Sequence, residues 1–164
     1  MKNKLRIISG GFCATLLAFW LWPHDQAKAI QTRLDRIVAL LQTDRLQNPI
    51  ECRVKAKELG KYFADNIAFH YEYEEDKFER SLAVQQVTDF GTAACLKIQR
   101  AESGISKVDI ALKGKTEAEV RLFFVATWRE QGETEDFTAG EDLTLQLEKH
   151  EDEWKIVRAR NWLR

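Results

Sequence analysis

The run Ala118-Glu119-Val120-Arg121-Leu122-Phe123-Phe124-Val125-Ala126-Thr127-Trp128 decides the fold class. Ala118, Val120, Leu122, Phe124, Ala126 and Trp128 recur at every second position, the period of a strand and not of a helix. The other face carries Arg121, Phe123, Val125 and Thr127, so the middle is apolar on both sides, as a central strand requires. Upstream, Val108, Ile110 and Leu112 alternate with Asp109, Ala111 and Lys113, and Gly114-Lys115 supplies a tight turn. Downstream, Gln131-Gly132-Glu133 turns the chain, Leu143, Leu145 and Leu147 mark another strand, Lys149 to Glu153 turns again, and Trp154 to Leu163 closes the sheet. Everything after Lys97 reads as an antiparallel meander.

The preceding half is mostly helical. Ile30, Leu34, Ile37, Val38 and Leu41 recur at helical spacing, which predicts a first helix ending near Leu46. Asn48-Pro49 is a start signal, with Asn48 as cap and Pro49 where a missing N–H costs nothing. The second helix is expected to reach about Ala64, with Cys52, Ala56, Leu59 and Phe63 on one stripe. Ile67 to Tyr73 changes to period two and reads as a strand, and Glu74 to Lys77 as a polar turn. A third helix is expected from about Glu79 to Ala94, burying Ala83, Val87, Phe90 and Ala94. The order α-α-β-α-β-β-β-β predicts an α+β domain, three helices packed on the concave side of a curved antiparallel sheet.

At 164 residues the chain has room for one such domain. Its formal net charge of −1 argues against a nucleic-acid binder, and no nucleic-acid partner is expected. Only one long apolar run exists, Ile7 to Trp22, led by Lys2, Lys4 and Arg6. Two readings stand for residues 1–29. Ala27-Lys28-Ala29 has the form of a signal-peptidase site, which predicts a secreted or periplasmic product cut near Ala29. Residues 5–22 are also just long enough to cross a bilayer, and Trp20 and Trp22 suit its interface, which predicts an inner-membrane anchor. Either way the leading cations stay inside and residues 30–164 lie on the extracytoplasmic side. Without residues 1–29 the chain holds 21 cations and 25 anions, a mildly acidic surface.

In its element order, and in the phrases LGKYFADNIAFHYEYEED (59–76), ERSLAVQQVTDF (79–90) and EWKIVRARNWL (153–163), the region 30–164 resembles the nuclear transport factor 2-like superfamily, which includes the SnoaL-like and ketosteroid-isomerase-like domains. The resemblance implies a cone-shaped (cystatin-like) fold with a cavity between helices and sheet. Some similar domains isomerise or dehydrate a substrate there, while others bind ligands, dimerise or assemble in secretion machinery. In the ketosteroid-isomerase-like phrase a carboxylate on the first strand takes the substrate proton. Aligning Phe63-Ala64-Asp65-Asn66-Ile67 with it puts Tyr71 at that position, and a phenol with a pKa near 10 is a poor base at neutral pH.

No catalytic residue is therefore assigned, and no cofactor. Phe69, Tyr71 and Tyr73 share one strand face and are the candidate cavity wall for a small apolar ligand, or simply core. His70, Glu72 and Glu74 share the other face; their spacing of nearly 7 Å between successive residues is too wide to converge on a small ion, and no metal site is assigned. Cys52 and Cys95, the only thiols outside the apolar run, form either a helix-to-helix disulfide or two separate buried thiols. Arg121, Arg129, Arg158 and Arg160 are expected to pair with Glu141, Asp142 or Glu148 on the sheet rather than to line an anion site. Trp128, Trp154 and Trp162 are expected as core or sheet-edge anchors; exposed on the open sheet face, one would mark an interface with a second copy or an envelope protein. The reading is a non-catalytic extracytoplasmic module for ligand binding or assembly. A small isomerase or lyase with an acid–base pair in the cone is the alternative, and Asp65, His70 and Asp109 are the groups to inspect first. Two convergent titratable groups in the cavity would favour it.

Overall fold

The computed structural model describes residues 25–73 and 76–161. In chain order these form α1 (25–41), α2 (Pro49–Gly60), β1 (Phe63–Tyr73), β2 (Asp76–Ala83), α3 (Val84–Lys97), β3 (Ile98–Leu112), β4 (Glu117–Glu130), β5 (Phe137–His150) and β6 (Glu153–Asn161). The six strands make one sheet in the order β2-β1-β6-β5-β4-β3. The apolar run of residues 7–22 lies outside the described residues, among which no helix is long and apolar enough to cross a membrane.

The meander β3 to β6 follows its alternation pattern, but two features depart from expectation. Residues 76–83 form β2, antiparallel to β1 from Asn66↔Ala83 to Tyr73↔Asp76, where the helix α3 was expected to start. Glu79 to Ala83 has no strong preference of its own, and pairing with the exposed edge of β1 decides its state. α3 therefore begins at Val84, and Phe90 and Ala94, expected inside, are exposed. The second departure is that β1 runs parallel to β6, through Ala68↔Arg158, Phe69↔Ala159 and His70↔Arg160, so the sheet is mixed. Nothing local encodes a pairing between strands at opposite ends of the domain. Smaller shifts follow from local chemistry. α1 stops at residue 41 because Thr43 turns away to bridge Ala101 on β3, and α2 stops at Gly60, after which β1 starts at Phe63.

α2 begins as its cap predicts. Asn48 Oδ1 accepts from the Ile50 and Glu51 amides at 3.0 and 2.9 Å, and the Glu51 carboxylate accepts from the Asn48 amide at 3.0 Å. A bridge between Cys52 and Cys95, with Cα atoms 5.6 Å apart, ties α2 to α3. α1 lays Ile30 and Leu34 into the concave face of the sheet, where they pack with Val120, Leu122, Leu145, Leu147, Trp154 and Ile156. Burying each such side chain contributes roughly 1.5–3 kcal/mol, so this cluster is the main source of cohesion. The helix is continuous through Ala29 and Ile30, and Gln26 Oε1 accepts from Trp154 Nε1 at 3.1 Å.

Candidate functional site

α1 fills only part of the concave face. The register shows what lines the rest. Phe69 stands opposite Ala159, which packs on the core, so Phe69 and Tyr71 point to the concave side. Glu141 stands opposite Phe124 and two positions before Leu143, both of which pack on the core, so Glu141 points there too. Across the intervening β6, the Tyr71 hydroxyl donates to Glu141 Oε1 at 2.8 Å. Phe78, opposite Tyr71 on β2, continues this wall, with the Arg80 guanidinium 5.0 Å from the centre of its ring. Further along, Trp128 stacks on Phe137 at 6.0 Å between ring centres. Tyr71, Phe78 and Phe137 are 39%, 43% and 46% exposed, a large apolar investment left facing solvent.

Asn161 holds the floor of this wall. Its side chain donates to the Glu72 carbonyl at 2.7 Å and accepts from the Glu72 amide at 2.8 Å, continuing the β1–β6 ladder one step past its last backbone pair. At 7% exposure the amide replaces water for both groups and sets the height of Tyr71 next to it.

The other sequence candidates fall elsewhere. His70 and Glu72 lie on the convex face, 3.1 Å apart, and Lys77 lies 3.1 Å from the same Glu72 oxygen. Lys77 first, and then His70, hold the Glu72 carboxyl below its ordinary value. Glu74 lies outside the described residues, and among those described no group of three His, Cys, Asp or Glu side chains can hold a metal ion. Asp65 borders a groove of about 740 Å³ at the base of the sheet, shared with Lys57, Lys61 and Lys155, and Asp109 is exposed opposite Arg121. Asp65, His70 and Asp109 do not converge. Among the arginines, Arg121 lies 3.1 Å from Glu119 and Arg129 2.8 Å from Asp136. Trp154 is core, Trp128 is half-buried on the concave side, and Trp162 lies outside the described residues. Tyr73 ends β1 opposite Asp76.

Glu141 is the functional candidate that sequence reasoning missed. Its signal was parity: Glu141, Leu143, Leu145 and Leu147 occupy one strand face, which places a carboxylate among residues destined for the core.

A curved sheet wrapped on three helices, with a partly open concave face, defines the cone-shaped nuclear transport factor 2-like fold. The chain shares it with a scytalone dehydratase-like protein from Novosphingobium aromaticivorans, at 16% identity and TM-score 0.68, covering 87% of each chain. It is also similar to hexachlorocyclohexane dehydrochlorinase LinA-type3 from Novosphingobium barchaimii, at 9% identity and TM-score 0.61, covering 87% of this chain and 88% of that one. A third likeness is to a calcium/calmodulin dependent protein kinase II association domain-like protein from Xanthomonas campestris, at 14% identity and TM-score 0.57, covering 80% and 83%. No protein-family model and no curated protein matches the chain. Proteins of this fold thus include enzymes and association domains, and at these identities the likeness concerns the fold alone.

Proposed function

We propose that the chain is an extracytoplasmic, non-catalytic module that binds a small, largely apolar ligand on the open concave wall of Phe69, Tyr71 and Phe78. The observation that carries this reading is the open aromatic wall: Tyr71 and Phe78 stay 39% and 43% exposed beside the Glu141 carboxylate, while His70 and His150 pair with Glu72 and Glu148 instead. A ligand with one hydroxyl or amine would find aromatic surface for its body and the Glu141 carboxylate for its donor. The α2–α3 disulfide supports an oxidising compartment. Continuity of α1 through residue 29, with Gln26 bonded to buried Trp154, supports the retained anchor over cleavage near Ala29, since a cut there would remove a packed helical turn.

The test has two parts. Fractionation of cells expressing the full chain is expected to place it in the inner membrane, with the domain accessible from the outer side. The neutral dye Nile red is expected to bind the full chain and to lose at least ten-fold in affinity in Phe69→Ala. A cytosolic chain, or dye binding indifferent to that substitution, overturns the corresponding half.

The lyase or isomerase reading has one observation in its favour: Tyr71 and Glu141 are two convergent titratable groups. Glu141 would take a proton from a substrate carbon as a leaving group departs from the next carbon, with Tyr71 orienting the carboxylate. Buffer-catalysed and protein-catalysed deuterium exchange into a bound ligand separate the two readings.

A further inference from the structure

Away from the concave wall, α1, α2, α3 and the start of β3 border a second, open hollow of about 130 Å³. Its wall is apolar over Leu40, Leu41, Leu59, Ala94 and Ile98, and Lys55 enters it from α2. The Lys55 ammonium is half-buried and donates to the Gln42 carbonyl just beyond the end of α1. It forms no ion pair among the described residues; Asp44 is near enough to favour its charge without contacting it. A partly buried cation at the mouth of an apolar hollow, with N–H donors to spare, is placed to receive an anion there.

We propose that this hollow is a binding site for a small monocarboxylate with an apolar body, of the size of benzoate, whose carboxylate meets Lys55 and whose ring or short chain fills the space between Leu41, Leu59 and Ile98. The size follows from the volume, since a dry apolar cavity of about 150 Å³ takes benzene. The sign follows from Lys55: its spare N–H donors favour a carboxylate over a neutral ligand of the same shape, and a dicarboxylate would bring a second charge against leucines. Burial pulls the Lys55 ammonium below the ordinary lysine value of 10.5, which marks the same desolvation that an anion would relieve.

The site is separate from the concave wall, so either reading can fail alone. Calorimetric titration of the full chain at neutral pH with benzoate, and with its neutral ester methyl benzoate, which has no hydroxyl for Glu141, tests it. Benzoate is expected to bind at least ten-fold more tightly. Lys55→Gln keeps a donor for the Gln42 carbonyl and is expected to abolish that preference, while Ala94→Leu, which fills the hollow, is expected to remove benzoate binding. Benzoate, which has no donor for Glu141, is expected to bind Glu141→Gln as it binds the unchanged chain. Equal affinity for the two ligands, no heat with benzoate, or benzoate binding unaffected by Ala94→Leu would overturn the proposal; the last decides the matter even if Lys55→Gln fails to fold.

Discussion

Tyr71 on β1 and Glu141 on β5 are joined by one hydrogen bond of 2.8 Å that spans the strand between them. The Glu141 carboxylate reaches the Tyr71 hydroxyl from a strand on the far side of β6.

Removing that hydroxyl should separate binding from packing. Tyr71→Phe keeps the aromatic wall and frees Glu141, and is expected to weaken Nile red binding less than three-fold. It should change affinity for a hydroxylated probe such as 2-naphthol by more than five-fold. Equal effects on both probes would show that the hydroxyl plays no part in recognition.

The disulfide closes a loop spanning 43 residues and should contribute about 3–4 kcal/mol by restricting the unfolded chain. Cys52→Ala with Cys95→Ala, or reduction with dithiothreitol, is expected to lower the denaturation midpoint accordingly. Two reactive thiols in unreduced, denatured protein would contradict the bridge.

Asn161→Leu removes a side chain that satisfies both the amide and the carbonyl of Glu72. A loss of about 2–6 kcal/mol is expected in urea denaturation, at about 1–3 kcal/mol for each of the two groups left unpaired. Ligand binding at Tyr71 should weaken with it, because the neighbouring strand loses its register pin.

The β5–β6 hairpin turns through Glu151 and Asp152 at φ 47° and 67°, left-handed backbone that L side chains adopt at a cost. Glu151→Asn with Asp152→Gly suits that geometry and is expected to raise stability by about 1–2 kcal/mol in the same assay. An unchanged midpoint would place the strain elsewhere.

Acid should loosen the fold from its surface pairs. Glu51 is held below the ordinary carboxylate value of 4.5 first by Arg45, Glu119 first by Lys113 and Glu153 first by Lys155. A carboxyl whose folded pKa is depressed adds stability above its unfolded value and loses it as pH falls through the folded one. The melting temperature is therefore expected to be level from pH 7 to about 5 and to fall below about 4.5, with a shallower fall in Glu119→Gln. A melting temperature that rises on acidification would reverse the sign.

The residue pattern by itself determined the meander and the helices that lie on it. Ala118 to Trp128 alternates so regularly that only a strand buries it, and Ile30, Leu34 and Ile37 make a stripe that only a helix presents. Asn48-Pro49 marked the start of α2 because capping is local chemistry. Tertiary structure alone decided three other matters. Residues 79–83 became strand because β1 offered an unpaired edge. β1 joined β6 in parallel because the last strand of the meander runs in its direction. Glu141 met Tyr71 because that pairing brought their strands to either side of β6. Period and capping are read within a few residues, whereas strand partners are chosen by which edges remain open once the core has closed, and that choice is made between segments far apart in the chain.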